Sequence, residues 1–248
     1  RPDDAVEALR RLANAHPEAP EARLILAGTL SGLGDPDAGL AELERVLETA
    51  PEHPVALFMK AGALVEEDDL PGALEVLRRA EAAAPNDATI AAKVAEVQAL
   101  AGDLDAAWET AGRAVQLERK LPMAWAVRAK VAYDRDDMKE AEKAAKQAVK
   151  LDPDDYDTGV LLGWVYLAAG RWKDAASAFQ RAAKVDPEEP AAFAGLGLAL
   201  ARAGKPEQAM VALEQAMGLE PENPTPLLMA GEGYMLLGEL REARTALE

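Results

Sequence analysis

The apolar positions of this chain recur on two scales: at helical spacing within short stretches, and every 34 residues along the sequence. Small residues form one column at Ala27, Ala61, Ala95, Ala129, Gly163, Gly197 and Gly231. A second small column runs through Ala5, Gly39, Ala73, Ala107, Ala141, Ala175, Ala209 and Ala243. Four residues after it comes a larger column, Leu9, Leu43, Leu77, Phe179, Leu213 and Leu247, with Ala111 and Ala145 in its middle. The apolar residues of each unit follow helical spacing, so each unit reads as two helices. A fixed period of this length marks a solenoid, in which a unit buries its apolar face only against its neighbours.

Polar punctuation sets the boundaries. Gly34-Asp35, Asp68-Asp69, Gly102-Asp103, Asp136-Asp137, Gly170-Arg171, Gly204-Lys205 and Gly238-Glu239 are turn signals between the two helices of a unit. Pro17, Pro51, Pro85, Pro153, Pro187 and Pro221 end the second helices, because proline has no amide to donate and restricts the residue before it. Arg119 breaks that series, and Pro122 follows three residues later. Pro20, Pro54, Pro122, Pro190 and Pro224 open first helices, where a missing amide costs little. The predicted organisation is one array. Residues 1–19 form the second helix of a unit, full units follow at 20–53, 54–87, 88–121, 122–155, 156–189 and 190–223, and a last unit begins at 224 and stops at 248. Both ends fall inside a unit, so the chain is expected to be a stretch of a longer protein.

These columns resemble the signature of the tetratricopeptide repeat family. The clearest unit, Tyr156 to Glu189, carries Leu162-Gly163, Tyr166, Gly170, Ala175, Phe179, Ala182 and Pro187 at the signature places. Gly159 departs from the bulky fourth position, which Leu57, Trp125, Phe193 and Leu227 fill in other units. The resemblance covers essentially all 248 residues. It implies an all-α, right-handed superhelical solenoid of antiparallel helix pairs, acting as a non-catalytic scaffold for protein–protein interaction.

In the family the first helix of each unit lines an inner, concave groove where partners dock. Carried over position by position, the groove is mostly apolar. Its expected contact residues are Leu24, Phe58, Met59, Met123, Lys130, Tyr133, Val160, Leu161, Trp164, Leu167, Leu198 and Met229. Every fifth position is apolar (Leu24, Phe58, Ala92, Ala126, Val160, Ala194, Leu228), which removes the lysine that chaperone-docking members use to grip a terminal carboxylate. An apolar groove suits an amphipathic helix or an extended apolar peptide. Trp164, one turn from Val160, Leu161 and Leu167, is the expected anchor. The competing reading is that these residues only pack neighbouring units. A further alternative is a self-assembly module, forming homo-oligomers through the array ends or the groove.

Charge changes the picture in two ways. A net charge of −17 argues against nucleic acid, which needs a basic footprint, and favours basic or neutral partners. Residues 113–150 run against the trend, with ten Lys or Arg to six acids. Lys139, Lys143, Lys146 and Lys150 share one helix face there, forming a candidate convex basic patch as well as an ordinary solvated surface.

Candidate chemistry is sparse. With no cysteine, disulfides and thiolate metal sites are excluded. His16 and His53, the only histidines, abut unit-joining turns about one unit apart and read as capping residues. Asp152, Asp154, Asp155 and Asp157 superficially resemble a calcium loop. The loop's glycine and closing glutamate are replaced by Asp157 and Gly163, so capping explains the cluster better. Neither a phosphate-binding glycine loop nor a nucleophile with its base is evident, and no cofactor, metal or membrane insertion is expected. The Ala, Arg, Glu and Asp usage suggests a GC-rich bacterial genome. Bacterial proteins resembling this chain help assemble envelope machines such as pili, secretion systems and polysaccharide exporters. The expected partner is therefore a protein or peptide.

Overall fold

The computed structural model describes residues 2–219 and 224–238. Pro221, Ala243 and Leu247, and the side chains of Thr225, Leu227 and Met229, lie outside what is described. The described residues are helical throughout apart from short turns, and they fall into two compact units, Arg1–Arg119 and Lys120–Glu248.

The first unit contains α1 (Pro2–Ala15), α2 (Glu21–Gly32), α3 (Pro36–Thr49), α4 (Pro54–Glu66), α5 (Leu70–Ala83), α6 (Ala88–Leu100) and α7 (Leu104–Leu117). The second contains α8 (Pro122–Asp134), α9 (Met138–Leu151), α10 (Tyr156–Ala168), α11 (Trp172–Val185), α12 (Pro190–Arg202), α13 (Pro206–Leu219) and α14 (Pro224–Leu237).

The turns explain why the helices begin and end where they do. Gly34, Gly102, Gly170, Gly204 and Gly238 take φ between +71° and +86°, and Asp68 and Asp136 stand at +61° and +63°. This left-handed step lets the next amide reach back to an orphan carbonyl, as in Asp35 N–H to Leu30 O at 3.0 Å. The following aspartate then caps the next helix. Asp35, Asp69, Asp103 and Asp137 each accept a bond from the amide three residues on. His53 performs the same task for α4, its Nδ1 accepting from Ala56 N–H at 3.3 Å. At α12 the cap comes from a distance: the Tyr156 hydroxyl accepts from Ala192 N–H at 3.0 Å.

Packing follows the small and large columns. In the first unit, Leu57, Ala61, Ala73, Leu77 and Ala80 are fully buried and meet Ile90, Val94 and Val97. Gly39 is needed at the α2–α3 crossing, since a Cβ there would come within 2.9 Å of the Ala27 carbonyl oxygen. One charge is buried beside it. Glu42 accepts from Arg23 at 2.8 Å and from Arg45 at 2.7 Å, and both it and Arg23 are largely shielded from water.

Phe179 is the centre of the second unit. Its ring, 0% exposed, lies against Gly163 of α10 and Gly195 of α12, where added Cβ atoms would come within 2.6 Å and 2.5 Å. The edge-on ring of Trp164 closes the cluster, with centroids 5.0 Å apart and planes at 75°. Burial of a side chain of this size contributes on the order of 2–3 kcal/mol.

Candidate functional site

The helical spacing of α10 places Asp157, Leu161 and Trp164 on one stripe, with Val160 beside them. The corresponding stripe of α8 carries Ala126, Val127 and Lys130. The two stripes face each other across an open hollow of about 340 Å³, whose lining is completed by Thr158. Small residues on the α8 side leave the room, and large ones on α10 supply the apolar wall.

Polar groups sit at the margins of this hollow. Lys130 Nζ is held 2.6 Å from both carboxylate oxygens of Asp134, one turn along its own helix. The buried Thr158 hydroxyl donates to the Asp155 carboxylate. Asp157 differs from both: burial, reinforced by the nearby Asp155 charge, pushes its carboxyl above the ordinary carboxylate value. The hollow can therefore bury an apolar side chain and present a carboxylate at its rim. Among the described residues, no three His, Asp or Glu side chains converge in a way that could hold a metal ion.

The other expected contact residues are placed differently. Leu167 and Leu198 are 8% and 5% exposed and belong to the core around Phe179, so they offer no open surface. The spacing that put them on the groove face is real, but the neighbouring helices of the second unit cover them. Met123 and Tyr133 are half-buried on α8 outside the lining of the hollow. Leu24, Phe58 and Met59 are half-buried in the first unit, where Phe58 packs on the core and Met59 Cε lies 3.5 Å from the Cβ position of Gly28. Ala126, Val127 and Asp157 fall on groove-facing positions by their spacing but are not among the expected contact residues, and Thr158 lies off those positions altogether. Alanine and an acid in a first helix look like spacer and cap, and only the facing helix shows that they frame a cavity.

On α9, Lys139, Lys143, Lys146 and Lys150 are all exposed, as a solvated face requires. The patch is less basic than its lysines suggest. Lys143 pairs with Glu140 at 3.0 Å, and Lys146 pairs with Glu142 while lying 5.6 Å from the centre of the Tyr166 ring. Arg171 covers the same ring at 4.5 Å and also pairs with Glu142. A larger groove of about 620 Å³ runs between α11 and α13, where Lys173, Gln180, Glu207 and Gln215 stand beside the apolar Leu196, Leu200 and Val211.

Comparison with known proteins agrees with this architecture. No curated protein matches the chain in sequence. In fold the chain is similar to a chain of the APC/C hetero-tetramer Cut9–Hcn1, with a TM-score of 0.83 at 15% identity, covering 98% of this chain and 46% of that one. The chain thus spans about half the length of that relative. PilW, described as a widely conserved type IV pilus biogenesis factor, aligns with a TM-score of 0.72 at 15% identity over 82% of this chain and 94% of its own. YrrB, described as a tetratricopeptide repeat protein with an unusual peptide-binding site, aligns at 0.57 with 19% identity over 78% and 97%. Models of the tetratricopeptide repeat match residues 1–61, 30–97, 124–155, 160–224 and 224–248. With its helix pairs at 34-residue spacing and these matches along most of its length, the chain belongs to the tetratricopeptide repeat family.

Proposed function

We propose that this chain is a non-catalytic interaction scaffold that seats an apolar or amphipathic segment of a partner protein between α8 and α10. The hollow there carries the reading: the half-buried Ala126, Val160, Leu161 and Trp164, over a buried Val127, form an open, apolar surface whose backbone is fixed by helix packing. A preformed site keeps the ordering cost of binding low. Its strength comes from burying one large side chain in a rigid pocket, and its selectivity from the charged rim. The fold it shares with YrrB supports a peptide-binding role, and the likeness to PilW supports the narrower reading of a part in assembling a bacterial envelope machine.

The test uses substitutions on opposite walls. Ala126→Glu and Leu161→Glu each place a carboxylate in the hollow, and circular dichroism verifies that both variants keep their helicity. Peptides selected from a displayed random library on the wild-type chain should lose binding to both variants. Peptides that bind all three proteins equally would refute the site.

A further inference from the structure

We propose that the segment seated in the hollow is basic as well as apolar, with a Lys or Arg that meets Asp157 while a large apolar neighbour enters between α8 and α10. The proposal rests on the hollow being the docking site and adds the chemistry of its occupant.

The two ionic side chains lining the hollow are not equivalent. Lys130 already has a carboxylate partner within its own helix, both oxygens of Asp134. Asp157 has no cation paired with it among the described residues, and the charge that acts on it is the like charge of Asp155. The surroundings do not correct this. Asp152, Asp154, Asp155 and Asp157 fall within six residues, and no Lys or Arg stands between Lys150 and Arg171.

This asymmetry selects among occupants. A purely apolar segment laid across α10 would strip more water from Asp157 and give nothing back, leaving a carboxylate further buried and unpaired. An acidic segment would add repulsion. A cation restores the lost hydration with a charge-assisted hydrogen bond, and the net charge of −17 draws a basic segment toward the chain before contact. Asp157 is exposed at the rim, where a partner's cation can reach it, and partial burial together with the Asp155 charge already raises its carboxyl above the ordinary value.

Geometry also fixes the spacing. Asp157 lies one helical turn before Leu161, about 6 Å along α10. A helical occupant must then carry its Lys or Arg three or four residues from the apolar anchor. An extended one must carry it two residues away.

The experiment selects random 16-residue peptides on the full chain, then on Asp157→Asn and Asp157→Lys, with Leu161→Glu as the control for the hollow itself. Wild-type selections should show an apolar residue with Lys or Arg at that spacing. Asp157→Lys should weaken those peptides about fivefold or more, an effect that shrinks in high salt, and should shift selection toward Asp or Glu at the same place. Peptides lost on Leu161→Glu yet indifferent to Asp157→Lys overturn this proposal and leave the docking site standing. Failure to select any peptide, or selection of peptides indifferent to Leu161→Glu, overturns both.

Discussion

One substitution, glycine to alanine, should have opposite effects at two helical positions of this chain. Alanine in a helix interior is favoured over glycine by roughly 0.5–1 kcal/mol, because glycine loses more backbone freedom on folding. At Gly62 of α4 nothing lies within 4 Å of the new Cβ, so Gly62→Ala should be stabilising by about that amount. At Gly195 of α12 the methyl would sit 2.5 Å from the Phe179 ring. That ring has nowhere to go: it is fully buried, Gly163 bounds it on the α10 side, and Trp164 stands edge-on to it at 5.0 Å. Overpacking a closed core costs about 1–3 kcal/mol. Set against the helix gain, Gly195→Ala should lose about 1 kcal/mol. Phe179→Leu in the same background should recover part of that loss. Urea unfolding followed by circular dichroism gives the midpoints, and amide exchange in α10–α12 localises the effect if the array unfolds stepwise. Equal stabilisation by the two alanines would refute the packing argument.

Three further outcomes follow from named contacts. Glu42→Ala strands the shielded Arg23 guanidinium and should cost about 3 kcal/mol in a thermal or urea melt, whereas Arg45→Ala, on the exposed side of the same carboxylate, should cost under about 1 kcal/mol. Tyr156→Phe removes the acceptor for Ala192 N–H and should cost about 1 kcal/mol, with faster exchange of that amide; unchanged exchange would mean that water replaces the hydroxyl. The hydrogen bond from Lys146, assisted by that from Arg171, outweighs burial and holds the Glu142 carboxyl below its ordinary 4.5. A depressed folded-state value stabilises fully above the unfolded value and is lost as pH falls through the folded one. The stability gap between wild type and Glu142→Gln should therefore close on acidification, and a gap that widened would contradict the pairing.

The fold was legible because its rules are local. The glycine-or-aspartate turn every 34 residues, the aspartate that caps the next helix and the proline after it are readable one residue at a time, and so is the demand for a small residue where Gly163 faces Phe179. The candidate site was only half legible. Val160, Leu161 and Trp164 declare themselves by size and spacing. Leu167 and Leu198 share that spacing but are buried by neighbouring helices, a fact that depends on how closely α10 and α12 approach. That approach is set by Phe179 fitting against Gly195, a pairing across sixteen residues that no single helix pattern contains. Asp157 stands on a groove-facing position by spacing, but its part in the site was not legible there. An acid in the first turn of a helix ordinarily serves the helix dipole, and only the facing wall of α8 gives it a second setting.

The most direct test of the docking site is photocrosslinking of a selected peptide to a photoreactive residue placed at Ala126, compared with the same residue at Val211 in the larger groove between α11 and α13. The account predicts a crosslink from position 126, displaced by unlabelled peptide and absent in Leu161→Glu, with none from position 211. Crosslinking from 211, or from neither position while the peptide still binds, would contradict it.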